Sequence, residues 1–311
     1  MGRKERRAAI EAIYKSKDTE EWFDKVFTRP VGYVLTLFCN RLNIHPNVVT
    51  IISIILGIGA GVCFYFPSLG WTLAGIALLV SANILDSVDG QLARMTGKKS
   101  LLGRVLDGFA GDVWFFCIYA AISLRLFNKP MPFLDRNWGI WIFVLAMVLS
   151  LFSHMFQANL ADYVRNIYTK FRTGSSELSD TRALRQEQRE TPSREWFRKI
   201  WQFFYIGYVS RQELCTPDFQ KMRDRLIPDG PATGMKPSKE FAQEFCDRTC
   251  HLIKWANIST FNTRAIVLYI IMLTGQPWLY LVFEVTVMNI LLAYMVSQLE
   301  SVCRDMTAKY L

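Results

Sequence analysis

Three aspartates stand where carboxylates are costly. Asp86, Asp89 and Asp107 lie inside or at the edge of long apolar stretches. An ionised carboxylate there costs several kcal/mol unless it is paired or bound to a cation. Asp86 and Asp89 are three positions apart and share one helical face, with Gly90 and Ala93 beside them as small residues that open space for a ligand. Asp107 follows a basic turn and returns from the next helix to the same depth. Carboxylates converging from two helices form a hard oxygen site suited to Mg2+ or Mn2+, and such ions bind phosphates. No cysteine or histidine lies near enough in sequence to suggest zinc instead.

The elements that must position these side chains are membrane helices. The 311 residues are 51% hydrophobic and 14% aromatic, richer in apolar residues than a soluble domain needs. Apolar runs near residues 48–66, 70–85, 105–127, 138–156, 265–274 and 278–298 alternate with charged segments. The expected fold is all-α, a six-transmembrane-helix bundle with an N-terminal interfacial amphipathic helix over residues 20–42 and a cytosolic helical insertion. Four segments follow: residues 1–45, the cytosolic N-terminus and juxtamembrane helix; 46–169, spans one to four with the aspartates; 170–255, the insertion; and 256–311, spans five and six with the C-terminus. The insertion is too long for a structureless connector and should form its own helices. Its aromatic and basic segment at residues 196–209 suits the membrane surface, the catalytic mouth or a small soluble helical layer.

The net charge of +9 is concentrated in the N-terminal tail, the turn at Arg94–Arg104 and residues 165–264. The opposite connections carry few Lys or Arg, so the charged loops, both termini and the aspartate site are expected on the cytosolic side. Nucleic acid is set aside as a partner because the basic residues flank spans and form no binding module. Of the seven cysteines, Cys39, Cys63 and Cys117 lie in or beside apolar runs, where they pack as small hydrophobes, and the Cys246, Cys250, His251 cluster lacks a second ligand pair at zinc spacing. His154, within the fourth span, reads as a satisfied interior residue, and Glu284, within the sixth, needs a polar neighbour.

The aspartate passage resembles the signature of the CDP-alcohol phosphotransferase (CDP-alcohol phosphatidyltransferase) family, class I membrane enzymes. Asp86, Asp89-Gly90, Ala93-Arg94, Gly103 and Asp107 match its spacing in register. The likeness extends to Pro46-Asn47-Val-Val-Thr50 and to Tyr163-Val-Arg165, and it omits residues 170–255. It implies a phosphotransferase of phospholipid biosynthesis that uses two divalent cations, a CDP-linked lipid or alcohol donor and an alcohol or lipid acceptor, and that assembles as a homodimer. By the same resemblance Asp86, Asp89, Asp107 and the last aspartate of the motif are metal ligands. Gly90, Ala93, Arg94, Ser100 and Gly103 line the nucleotide, and Asn47 and Thr50 are either part of that pocket or cap the helix after Pro46. Tyr163, Arg165 and Arg264 stand where acceptor phosphate is bound, or else anchor helix ends at the positive side.

One position departs from the pattern. The final aspartate, the family's general base, should be residue 111, yet the chain has Gly111 followed by Asp112. On a regular helix, four residues past Asp107 lies about 40° away, whereas five lies about 140° away. Asp112 serves as base if a π-bulge re-aims it, and Gly108 and Gly111 make such a bulge cheap. Otherwise another group or a substrate phosphate takes the proton, or the protein binds metal and lipid without catalysis. Transfer of a phospho-inositol-type head group onto a sphingolipid is a further variant.

Overall fold

The computed structural model describes residue 21 and residues 23–98, 101–174, 178–227 and 237–311, apart from the side chains of residues 101, 102, 104, 105, 107, 108 and 197. Among them the only regular element is helix, besides one isolated bridge between Pro130 and Asn137. Six stretches are long and apolar enough to cross a membrane: Pro46–Tyr65, Leu69–Thr96, Phe109–Leu126, Ile140–Thr173, Lys239–Leu273 and Trp278–Tyr310. The all-α, six-span expectation therefore holds. The described residues gather into two compact units, one holding residues up to His154 plus Phe261–Val285, the other Met155–Thr260 plus Thr286–Leu311.

In the first unit a π-helical turn at Asp24–Thr28 leads into α1 (Arg29–Arg41). Next come α2 (Pro46–Tyr65), α3 (Leu69–Thr96), α4 (Leu101–Leu126) and the opening of α5 (Ile140–Thr173). His45 caps α2, its ring Nδ1 accepting from the Asn47 N–H at 3.2 Å, with Pro46 at the first turn. Gly97 ends α3 in the left-handed region, at φ 68°. Close approach is built from small residues: a Cβ on Gly57 would lie 1.9 Å from Trp114 of α4, and one on Gly61 3.0 Å from the backbone of Cys117. This suits helices in lipid, where packing rather than hydrophobic burial drives association. Large apolar residues point the other way, with Ile51, Ile55 and Val62 of α2 and Val34 and Phe38 of α1 exposed while Thr36, Thr50 and Ser53 are buried. A water-soluble fold would sort these types in reverse.

The second unit contains the rest of α5, the insertion and the last span. The insertion forms α6 (Thr181–Glu190), α7 (Trp196–Cys215), α8 (Pro217–Arg225) and α9 (Lys239–Ile258). The chain returns to the first unit as α10 (Phe261–Leu273) and α11 (Trp278–Val285) and ends in the second as α12 (Val287–Tyr310). The 255/256 boundary read from composition falls inside α9. Phe241, Phe245 and Leu252 recur on one buried face of that helix, and its polar opposite side hid the continuity. The α8 N-terminus is capped from α12, where Glu300 accepts from the N–H groups of Asp218 at 2.6 Å and Phe219 at 3.0 Å. Arg223, nearly buried, pairs with Asp180 at 3.0 Å and Glu213 at 3.3 Å and so ties α8 to α6 and α7. Gln157 donates to Asn289 at 2.8 Å, joining α5 to α12.

Candidate active site

The register of α3 sorts its inner half into three faces. Ser87 and Gln91 turn toward α1, where the Gln91 amide donates to the Arg29 carbonyl at 3.4 Å and to the Ser87 hydroxyl at 3.1 Å. A Cβ on Gly32 would stand 3.0 Å from that amide, so glycine is what lets α1 come this close. Val88 and Leu92 pack with Val49 of α2. The third face carries Asp86, Asp89, Gly90 and Ala93, within about 100° of arc. Asp89 is 3% exposed and Asp86 is half-buried.

Arg94 closes this face. A Cβ on Gly90 would meet only the Arg94 guanidinium, at 3.4 and 4.0 Å, so that cation lies back over Gly90 one turn before its own Cα. Both contacts are ordinary, so the protein's own packing does not demand glycine at position 90.

Helix α4 brings the second half of the motif back. Asp89 stands about 10 Å from the end of α3 and residue 107 about 9 Å from the start of α4, by helical rise, so the two positions return to one level. The side chain of Asp107 and all of Ser100 lie outside the described residues, and Gly103 is half-buried in the first turns of α4. Among the described residues no group of three acidic, histidine or cysteine side chains forms a metal cluster. The residues present fit a hard cation by chemistry: Asp86 and Asp89 offer carboxylate oxygens from one face of a membrane span, with no softer donor on that face.

The π-bulge on which one reading of Asp112 depends does not occur at Gly108–Asp112. α4 runs as regular α-helix from Leu101 to Leu126. Asp112 keeps its place about 140° from position 107. It shares a stripe with Phe115 and Tyr119, whose rings pack against His154 and Tyr280, the Phe115 and His154 centroids being 4.2 Å apart. Position 111 is open: a Cβ there would meet nothing within 4 Å. Besides the turn at Asp24–Thr28, π-helical geometry lies at Val144–Ser150 in α5, where the Ser150 hydroxyl donates to the Leu145 carbonyl five residues back at 2.8 Å.

The remaining candidates divide. Thr50 is buried and spends its hydroxyl proton on the Pro46 carbonyl at 3.2 Å, and half-buried Asn47 is held through its backbone by His45. Arg264 does not present itself to an acceptor, contrary to expectation. It is 1% exposed and forms an ion pair with fully buried Glu284. His154 Nδ1 lies 3.0 Å from the same guanidinium, and Tyr280 donates to Glu284 at 2.7 Å. Sequence reasoning noticed His154, Arg264 and Glu284 singly and missed the assembly. Tyr280, one turn before Glu284, was the available signal. In the second unit Tyr163 is buried and its hydroxyl accepts from Gln220 at 3.0 Å, while Arg165 is half-exposed and pairs with Asp162 one turn back.

Comparison with known proteins agrees with the motif. Residues 43–178 match the family described as CDP-alcohol phosphatidyltransferase. A CDP-diacylglycerol–serine O-phosphatidyltransferase of Mycobacterium leprae is 30% identical over 131 residues, 42% of this chain and 41% of the relative. A class-I CDP-alcohol phosphatidyltransferase family protein of Dictyostelium discoideum is 32% identical over 111 residues, 32% of this chain and 27% of the relative. An archaetidylinositol phosphate synthase of Pyrococcus horikoshii is 47% identical over 66 residues, 21% of this chain and 34% of the relative. The chain thus spans well under half the length of each relative it matches.

Proposed function

Starting from residues 43–178 as a CDP-alcohol phosphatidyltransferase domain, we propose that the chain is a membrane transferase moving a substituted phosphate from a CDP-linked donor to an alcohol. The carrying observation is Asp89, a carboxylate 3% exposed within an apolar span on the face that also bears Asp86, Gly90 and Ala93. A buried acid within a span is rare and marks a functional position. The family depends on divalent metal. In this reading Asp86, Asp89 and Asp107 hold Mg2+ or Mn2+. When bound, such ions draw charge from the donor's diphosphate and stabilise the departing CMP.

The chain's own residues supply the rest. Gly90 keeps the α3 surface low, so phosphates come against the helix, and Arg94 offers a charge-assisted contact beside them. The acceptor oxygen forms its bond to the phosphorus as the bond to CMP breaks. Because position 111 lacks a carboxylate and Asp112 lies off the motif face, the hydroxyl proton is assigned to a substrate phosphate oxygen. The acceptor is a small alcohol or lipid alcohol, with the serine and inositol phosphate named for relatives as the first to test. Assembly as a homodimer and a cytosolic active site belong to the same reading.

The test is CMP release by the purified full chain in phospholipid vesicles, with CDP-diacylglycerol, each acceptor, and Mg2+ or Mn2+. Release is expected only with metal, and Asp89→Asn is expected to reduce it by at least about tenfold. The Gly111 departure favours a second reading, a binder of nucleotide and lipid without turnover. Nucleotide binding with no CMP release in the presence of any acceptor would establish that reading instead.

A further inference from the structure

Helix α7 lies outside the six stretches able to cross a membrane, yet it carries an outward apolar stripe along its whole length. Trp196 is 65% exposed, Phe203 67%, Phe204 63% and Leu214 77%, and Ile200 stands among them. At 100° per residue these positions cluster within about 100° of arc. The opposite face is occupied: Trp201, Tyr205 and Tyr208 stack in series, the Gln212 amide donates to the Asn159 carbonyl of α5 at 3.3 Å, the Asn159 amide donates back to the Tyr208 carbonyl at 2.9 Å, and Ile206 and Val209 are buried. The helix is therefore docked by one face and leaves the aromatic one outward.

We propose that this stripe lies in the membrane interface, with α7 an in-plane element whose aromatic side chains sit among lipid head groups and upper acyl chains. Three observations name lipid as the occupant. The docked face pairs α7 antiparallel to α5, Arg211 over Phe156 and Tyr208 beside Asn159, and these α5 residues belong to a stretch of spanning length. The stripe thus adjoins a helix long and apolar enough to cross a membrane. One border is basic: Lys199 flanks the stripe on the Phe203 side, which complements anionic head groups. The nearby carboxylates are turned away and committed, Glu195 and Glu187 to Arg198 and Glu213 to Arg223. Trp and Phe at a basic-bordered face are the residue types that partition to the interface. This inference concerns the insertion alone and does not depend on the catalytic reading.

The test uses the full chain with p-benzoylphenylalanine at position 203, reconstituted in vesicles of phosphatidylcholine and phosphatidylglycerol, and irradiated. Intact-mass analysis is expected to find phospholipid adducts at position 203 several-fold more abundant than with the probe at exposed Ser193. Cross-linked chain dimers in place of lipid adducts would overturn the proposal in favour of a second copy on this face. Adducts no more frequent than at position 193 would overturn it in favour of a solvated helix. A separate arm without phosphatidylglycerol is expected to lower the yield, and an unchanged yield would overturn the part played by Lys199.

Discussion

At residue 111 a single side chain separates this protein from the pattern it otherwise follows. The α4 backbone holds Asp112 on the Phe115 and Tyr119 stripe and leaves open room beside Gly111. Gly111→Asp is therefore expected to fold without a clash and to put a carboxylate on the side of α4 that carries position 107. A positioned general base is worth about 10²–10⁴-fold, so the variant's kcat for CMP release should rise by at least about tenfold, while Asp112→Asn should change it by less than about threefold. Loss of activity in Asp112→Asn, with no gain in Gly111→Asp, would mean that Asp112 swings to the site when substrate binds. The motif aspartates were legible because acids in apolar runs are conspicuous. The course of α4 past Asp107 was not. Both a bulged and a regular helix suit a glycine-rich segment, and packing of Phe115 and Tyr119 decides between them.

Among the elements, α10 and α11 are pinned by a charge pair rather than by apolar packing alone. Arg264 and Glu284 are both essentially removed from solvent, and Tyr280 and His154 take up further hydrogen bonds. Removing one partner strands the other charge, at a cost of about 3–5 kcal/mol in buried pairs. Arg264→Met and Glu284→Leu singly should each sharply lower the thermal midpoint of the protein in micelles. The double variant should recover much of the loss. Additive losses would show that the two side chains act independently. The sequence disclosed each residue as a polar exception within a span. Their pairing was not legible, because it rests on how α10 and α11 pack on each other and on His154, more than a hundred residues upstream.

Across the whole molecule, spans were readable because the period and length of apolar runs follow directly from the bilayer. The division into two units was not, since it depends on which helices exchange close contacts. The second unit has an acid-sensitive fastening. Asp218 accepts from Lys221 at 3.0 Å and from Arg304 at 2.9 Å and 3.1 Å, and these bonds hold its carboxyl below the usual range. A lowered carboxylate pKa contributes stability that is complete above the unfolded value, about 3.9, and that fades as pH falls through the lower folded value. Thermal midpoints of the wild type and Asp218→Asn should therefore differ at neutral pH and converge in acid below about pH 3.9. Curves that stay parallel would remove Asp218 from the fastening.

Glu300 adds a constraint of another kind. The start of α8 is finished by a carboxylate borrowed from a helix more than eighty positions downstream. What looks in the primary structure like a removable cassette is thus grafted onto the last span. Excising it would strip Glu300 of the two backbone donors it accepts from, so a shortened chain calls for a compensating change at that position of the tail.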